Sequence, residues 1–432
     1  MVKKVISLFT GAGGLDWAFL NNKDYELVFS NEKLEDHLKT YANNHKIPLI
    51  SLDNYDNEEN VAIFGDICNL DVSFSADILI GGPPCQDFSV LRGEDKRSGF
   101  TVERGKLYEQ YLRILKIANP SIFVFENVVG MVSANEGLAY ETIKNDFLNQ
   151  GYDLIYNQVL NISDIGAPQS RRRLIIIGIK KNLVPNMKEV EKIVDKYLLN
   201  NLLKKYPITP LEIFDGKVLT DLNKKYVRIM KEYNHCMDGI DNECSSKWKE
   251  EYENLTFDIV KDYLYFNKIE HLNVDEFSQA MLEHEKILKI LGFYNNKLNW
   301  KKFDDDSNFR YPVSERVEER IKHTPPFYNY KAVEGTEWEV KGLISNTYKR
   351  LHPLKPSPTV VAYGGGGTGG YHYLYNRIGL TNRERARLQT FPDDYLFNGN
   401  LSSVRAQIGE AVPPIASYFI FKTVSEILNL ID

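Results

Sequence analysis

Short apolar runs alternate with amphipathic stretches over the first 180 residues, and this alternation restricts the chain to few folds. Strand-like runs cover 5–9, 25–30, 61–64, 77–80, 122–125, 154–160 and 174–179. Between them, apolar residues recur at three- and four-residue steps over 107–117 and 138–148, the period of a helix with one buried face. Such alternation implies an α/β fold, a mostly parallel sheet with helices on both faces. Open sheets of this kind carry their reactive groups at the carboxyl ends of the strands.

At 432 residues the chain is too long for one ordinary core, and two domains are expected. From about 183 the texture changes to Lys, Asn, Tyr, Glu and Asp, with helical patterns at 189–204 and 276–291 and no catalytic motif. No apolar run reaches the length of a membrane span, and the apolar stretch 5–9 behind Lys3-Lys4 is too short for a signal peptide. Cys68, Cys85, Cys236 and Cys244 contain no Cys-x-x-Cys pair, which argues against zinc and disulfide frameworks. A reducing, cytoplasmic setting is the natural reading. The net charge of −6 argues weakly against a nucleic-acid binder. Distribution matters more than the total. Between 346 and 405, eight Lys/Arg stand against three acids, a local balance of +5 that suits phosphate contacts as well as it suits a solvated helix face.

Cys85 sits in Gly81-Gly82-Pro83-Pro84-Cys85-Gln86-Asp87-Phe88-Ser89, directly after an expected buried strand. The two prolines fix the turn and remove two N–H donors. A lone cysteine there is more often a small core hydrophobe than a nucleophile. Here it is accompanied, in fixed order, by Phe9-Thr10-Gly11-Ala12-Gly13-Gly14, Glu126-Asn127-Val128, Gln169-Ser170-Arg171-Arg172-Arg173 and Gln407-Ile408-Gly409 to Pro414. With these motifs the chain resembles the DNA cytosine-5 methyltransferase family, of the bacterial restriction–modification type, from Val5 to about Ser417.

The resemblance implies an S-adenosylmethionine-dependent, Rossmann-like domain over 1–182, completed by 406–432, with an antiparallel strand among its last two. It also implies a smaller domain over 183–405 carrying a target-recognition region at about 185–340. The glycine loop of Gly11, Gly13 and Gly14 lacks the third glycine of the dinucleotide fingerprint. Close backbone approach and free helix N–H groups nevertheless suit a carboxylate such as that of S-adenosylmethionine. Glu32 and Asp66 end the second and third strand runs, where carboxylates can accept from ribose hydroxyls and from the adenine amine; either acid alone is more readily a strand-end or capping group, and together, in the family's order, they are expected contacts. Phe9, Pro84 and Leu107 are expected as apolar walls, and Ile67, Ala411 and Val412 complete the cofactor set.

Cytosine C5 is a poor nucleophile until a thiolate adds at C6, and Cys85 is the candidate. Glu126 matches the family glutamate that shares a proton with N3. Arg171 and Arg173 alternate along one expected strand and so face one side; Arg173 is the candidate donor to cytosine O2, and Arg171 is expected to steady the thiolate or a phosphate. Pro83, Gln86, Ser89, Arg92, Asn127 and Gln169 are expected on the substrate side, Asn127 orienting the Pro83-Pro84-Cys85 turn and 88–104 closing over a base flipped from the duplex. The Arg383 to Pro392 segment matches a family element that organises the small domain. At 410 the family's Asn is a Glu. The expected substrate is double-stranded DNA, with S-adenosylmethionine as cofactor, a restriction endonuclease as possible counterpart and a monomeric protein. A tRNA methyltransferase and an inactive DNA-binding paralogue are the alternatives; the long segment after 183 and the intact motifs weigh against them.

Overall fold

The computed structural model describes residues 2–84, 105–183, 186–199, 201–269, 271–299, 303, 305, 307–310, 312–342, 347–363, 370–377 and 379–431. Cys85, Gln86, Ser89, Arg92 and most of the glycine run 364–370 lie outside the described residues.

Eight strands form one sheet: β1 (Lys3–Leu8), β2 (Tyr25–Glu32), β3 (Leu49–Ser51), β4 (Val61–Phe64), β5 (Ile78–Gly81), β6 (Ile122–Val128), β7 (Tyr152–Asn161) and β9 (Arg172–Lys180). Their order is β3-β4-β2-β1-β5-β6-β9-β7. All neighbours are parallel except where β9 runs antiparallel to both β6 and β7. The chain winds outward from β1 through β2, then returns to place β5 on the other side of β1. The crevice at the carboxyl ends of these strands is therefore a topological switch point, where open α/β sheets bind ligands.

Side chains alternate across the strands, so each strand feeds two cores. Val5, Ile78, Ile80, Val124, Ile175 and Ile177 join the apolar cluster that contains helix Pro414–Ile431. Ile6, Leu79, Phe123, Phe125, Leu174 and Ile176 join the opposite one, against helices Gly105–Ala118 and Leu138–Asn149. Helix Pro414–Ile431 returns to the sheet beside Trp17–Leu20, where Ala18 N–H donates to Ser417 Oγ (3.0 Å).

Past the sheet, the chain is helical through Met187–Leu198, Asn223–Cys236, Glu243–Glu253, Ile259–Asn267 and Val274–Ile290. Buried residues of these helices belong to the same cluster as one face of the sheet, so the core runs from sheet to insertion without a break.

The expected strand beginning near Gln169 is two elements. β8 (Gln169–Ser170) pairs with β10 (Ser357–Pro358), and β9 starts at Arg172. Arg171 falls between them, so the predicted Arg171/Arg173 alternation does not hold.

Candidate active site

A cavity of about 810 Å³ opens at the switch point. Four strand ends and one strand start build it. After β1, the loop from Phe9 to Gly14 turns sharply: Phe9, Gly11 and Gly13 have φ of 56°, 53° and 84°. A Cβ on Gly11 would meet nothing within 4 Å, whereas one on Gly14 would lie 2.0 Å from the Val412 carbonyl oxygen. Gly11 thus leaves room above the loop, and Gly14 lets the C-terminal motif close against it.

Glu32, at the end of β2, fixes this loop. Its Oε2 accepts from Gly11 N–H (2.9 Å), and Oε1 accepts from the N–H groups of Lys33 (2.8 Å) and Leu34 (2.9 Å). The segment just after the loop, at the start of helix Trp17–Leu20, is also braced. Buried Asp16 accepts from Tyr41 Oη (3.1 Å), and burial pushes its carboxyl up to about 6.

On the other side of β1, β5 leads into Gly82-Pro83-Pro84. Asn127, near the end of β6, donates from Nδ2 to the Pro83 carbonyl (3.1 Å) and accepts at Oδ1 from Val128 N–H (2.8 Å), so it ties the proline turn to the sheet. Glu126 stands beside it. Because β9 is antiparallel, its first residues lie at this same edge, with Arg173 opposite Val128. Arg173 Nε lies 2.9 Å from Glu126 Oε1, with the two side chains 15% and 13% exposed. Gly82 makes room for the other oxygen, since a Cβ there would sit 2.7 Å from Oε2. Burial raises the Glu126 carboxyl above its ordinary range, against the opposing charges of Arg173 and Arg171.

Phe9, Gly11, Gly14, Glu32, Pro83, Pro84, Glu126, Asn127, Arg173, Ala411 and Val412 all border the cavity. Asp66, Ile67, Leu107, Gly13, Arg171 and Gln169 do not. Asp66 caps the turn Ile67–Asn69 through Cys68 N–H (3.0 Å) and pairs with Lys33 (2.8 Å). Leu107 and Ile67 pack in the apolar layer behind. Gln169 corrects the substrate-side expectation: its buried amide donates to the Leu388 carbonyl (2.9 Å) and Gln389 Oε1 (2.6 Å) and accepts from Val360 N–H (3.1 Å). Arg171 is likewise fully buried and donates to the carbonyls of Val360 (3.3 Å) and Glu410 (3.2 Å).

Sequence reasoning missed His37. It lies on helix Glu35–His45, lines the cavity, and places Nε2 3.3 Å from Glu410 Oε2. Burial pushes Glu410 up, but His37, Tyr363 and Arg171 outweigh it and hold the carboxyl below its usual range. Residue 410 stood out in the sequence; nothing there linked it to a histidine 373 positions earlier.

The model of the C-5 cytosine-specific DNA methylase family matches residues 3–426. The chain belongs to that family. It is 42% identical to the DNA (cytosine-5-)-methyltransferase M.ApeKI of Aeropyrum pernix, over 99% of each chain. It is 30% identical to the type II methyltransferase M.NgoFVII of Neisseria gonorrhoeae, over 95% of this chain and 83% of that one. The solved Dnmt2 methyltransferase of S. pombe shares the fold, with a TM-score of 0.51 at 15% identity over 99% of each chain. The chain is thus a DNA cytosine-5 methyltransferase, and its cofactor is S-adenosylmethionine.

The cavity suits that cofactor. Glu32 and Glu410 line it, and the Glu410 carboxyl is held below its usual range, so the wall carries negative charge that suits a cationic sulfonium. Phe9, Pro84 and Val412 supply apolar wall, and the open space over Gly11 admits close backbone contact. Among the described residues no acid, cysteine or histidine cluster could hold a metal ion, and no helix is long and apolar enough to cross a membrane.

Proposed function

We propose that this methyltransferase modifies a cytosine flipped out of a specific duplex site, through a covalent bond between Cys85 and C6, and that it protects the site from a cognate restriction endonuclease. The observation that carries the reading is the Glu126–Arg173 pair at the cavity wall, next to the proline turn that leads into Cys85.

When bound, S-adenosylmethionine supplies an electrophilic methyl group. The protein's own residues prepare the carbon that receives it. The Cys85 thiolate forms a bond to C6, and the C5–C6 π electrons shift into the ring, building charge toward N3. Glu126, whose carboxyl burial holds toward the protonated form, delivers a proton to N3. Arg173 keeps that carboxyl in place and offers its remaining N–H groups to O2. Once C5 carries the methyl group, loss of the C5 proton to a base, water being sufficient, re-forms the C5–C6 double bond, the C6–S bond breaks with its pair on the thiolate, and N3 gives its proton back to Glu126. Asn127 acts at one remove by fixing the turn before the cysteine.

Sequence choice is assigned to about 185–340 within a domain covering 183–405. The motifs at the cavity offer too few side chains to read several base pairs, each of which needs its own paired contacts in the major groove. Transfer of tritiated methyl groups to duplex DNA and, separately, to tRNA tests the substrate. Incorporation into duplex DNA alone is expected; incorporation into tRNA alone contradicts the reading.

A further inference from the structure

A strained aromatic residue marks a basic site outside the cavity. Phe327 has a φ of 77°, a conformation bulky side chains rarely adopt. It is held there by two backbone hydrogen bonds, Phe327 N–H to the Arg350 carbonyl (3.1 Å) and Arg350 N–H to the Tyr328 carbonyl (3.0 Å). Its ring remains 42% exposed. Lys349 Nζ lies 4.3 Å and Lys355 Nζ 3.9 Å from the ring centroid, and Lys355 Nζ also lies 5.6 Å from that of Phe266. Exposed Lys268 adds its charge to the same group.

Among the described residues neither Lys349 nor Lys355 has an ion-pair partner. Glu251, the acid that acts on Lys355, accepts from Tyr328 Oη (3.1 Å). Burial lowers both ammoniums; that of Lys355 falls to about 8, with Lys268 and Lys349 pressing it further and Glu251 opposing. Half-buried lysines ordinarily extend their ammoniums to water or to an acid. Two like charges gathered at one exposed ring are a preformed seat for an anion. Lysine binds phosphate as a point charge, whereas a planar carboxylate favours the arginine fork.

The site's placement singles out the anion. From Lys355 the chain runs through β10 and then Thr359, whose Oγ1 donates to the Ser170 carbonyl (2.7 Å), to Ala362 and Tyr363 on the cavity wall. The steps from 355 to 362 span at most about 25 Å, less than one turn of duplex, about 34 Å. We propose that Lys349 and Lys355, presented around Phe327, hold a backbone phosphate of the DNA within one helical turn of the target cytosine. This inference rests on the DNA methyltransferase reading.

The test is binding of a labelled mixed-sequence duplex by the full-length protein, wild type against a Lys349→Gln/Lys355→Gln double variant, across a salt series. The double variant should bind more weakly to every duplex, and its log K against log salt slope should flatten by about 0.9 for each phosphate it no longer neutralises. Lys355→Arg should restore most of the slope. Cofactor affinity and thermal unfolding of the same variants report on folding; if the double variant unfolds, the single Lys355→Gln change carries the measurement. Unchanged affinity and slope overturn the proposal and leave the lysines as a structural cation–π cluster or a seat for an acidic protein. A loss confined to one DNA sequence also overturns it, since that would be a base contact. Methyl transfer by the wild type to the same duplexes is read separately, so its absence would break the functional reading without touching the binding result.

Discussion

Two carboxylate–cation pairs, one at the sheet edge and one in the helical insertion, show how the same chemistry serves different ends. Glu212 and His284 are completely buried, 2.9 Å apart. Glu212 Oε2 accepts from Thr209 N–H (3.0 Å) and Oγ1 (2.9 Å), Oε1 also accepts from Leu219 N–H (2.9 Å), and His284 Nε2 lies 2.9 Å from the Tyr206 carbonyl oxygen. Each polar atom is used, and the pair ties helix Val274–Ile290 to the short helix Pro210–Asp215. Glu126 and Arg173 are packed as closely but face a cavity, and Glu126 Oε2 has no donor among the described residues. A saturated pair holds structure; an unsaturated one keeps hydrogen-bonding capacity for a substrate.

The largest effect that would break this contrast is on stability. Glu212→Ala strands His284 and empties the network, and breaking one partner of a buried pair costs about 3–5 kcal/mol. Denaturant unfolding should show that loss; a change below about 1 kcal/mol would mean the insertion does not depend on the pair. Glu126→Gln should do the reverse. Losing a positioned proton donor costs about 100- to 1000-fold in kcat, while the unfolding midpoint stays near wild type. Stability loss matching that of Glu212→Ala would erase the distinction.

A cofactor comparison sharpens the same edge. Glu32→Ala removes the acceptor that fixes Gly11, and losing hydrogen bonds to a charged group should weaken S-adenosylmethionine by about 1.5–3 kcal/mol. Asp66→Ala removes a partly exposed pair with Lys33, outside the cavity, and should cost about 0–1 kcal/mol. Calorimetry that ranks them in the opposite order would place the adenosine beside Asp66.

The smallest effect is the pH dependence of stability. Burial alone would lower His284, but the charge and hydrogen bond of Glu212 raise it above 6.5. Its contribution is therefore full below the unfolded value and lost as pH rises through the folded one. Glu384, buried and raised from 4.5 to about 7, acts in the same direction between those values. Burial lowers His45, His352 and His372, which pull the other way below 6.5, so the window that tests both groups opens at 6.5. Unfolding midpoints should fall from there to about 7 and beyond, and a rise over that window would contradict both assignments. Glu126 is raised as well, so kcat should decline once its carboxyl ionises.

Much of the sheet was legible because its strands are short continuous apolar runs, buried on both faces. β3 was not, since three residues paired to β4 carry no pattern of their own. The break at Arg171 was hidden for a different reason: it depends on Gln169–Ser170 pairing with Ser357–Pro358, nearly 190 positions away. Cavity residues inside contiguous motifs, such as Glu126, Arg173 and the Phe9 to Gly14 loop, could be named in advance. His37 could not, because a histidine on an amphipathic helix looks the same whether it faces solvent or a cavity. Arg171 and Gln169 sat in a recognisable motif, yet their burial under the segment around Val360 follows only from the tertiary fold.

The central claim is that the edge at Glu126 and Arg173 serves a cysteine that bonds to the base. Duplex DNA carrying 5-fluorocytosine at the modified position tests it most directly, because fluorine at C5 cannot leave as a proton and the covalent species accumulates. Denaturing electrophoresis and peptide mass mapping should show wild-type protein joined to DNA through Cys85, and no adduct with Cys85→Ser although that variant still binds the duplex. An adduct at another cysteine, or methyl transfer by Cys85→Ser close to wild type, would contradict the account.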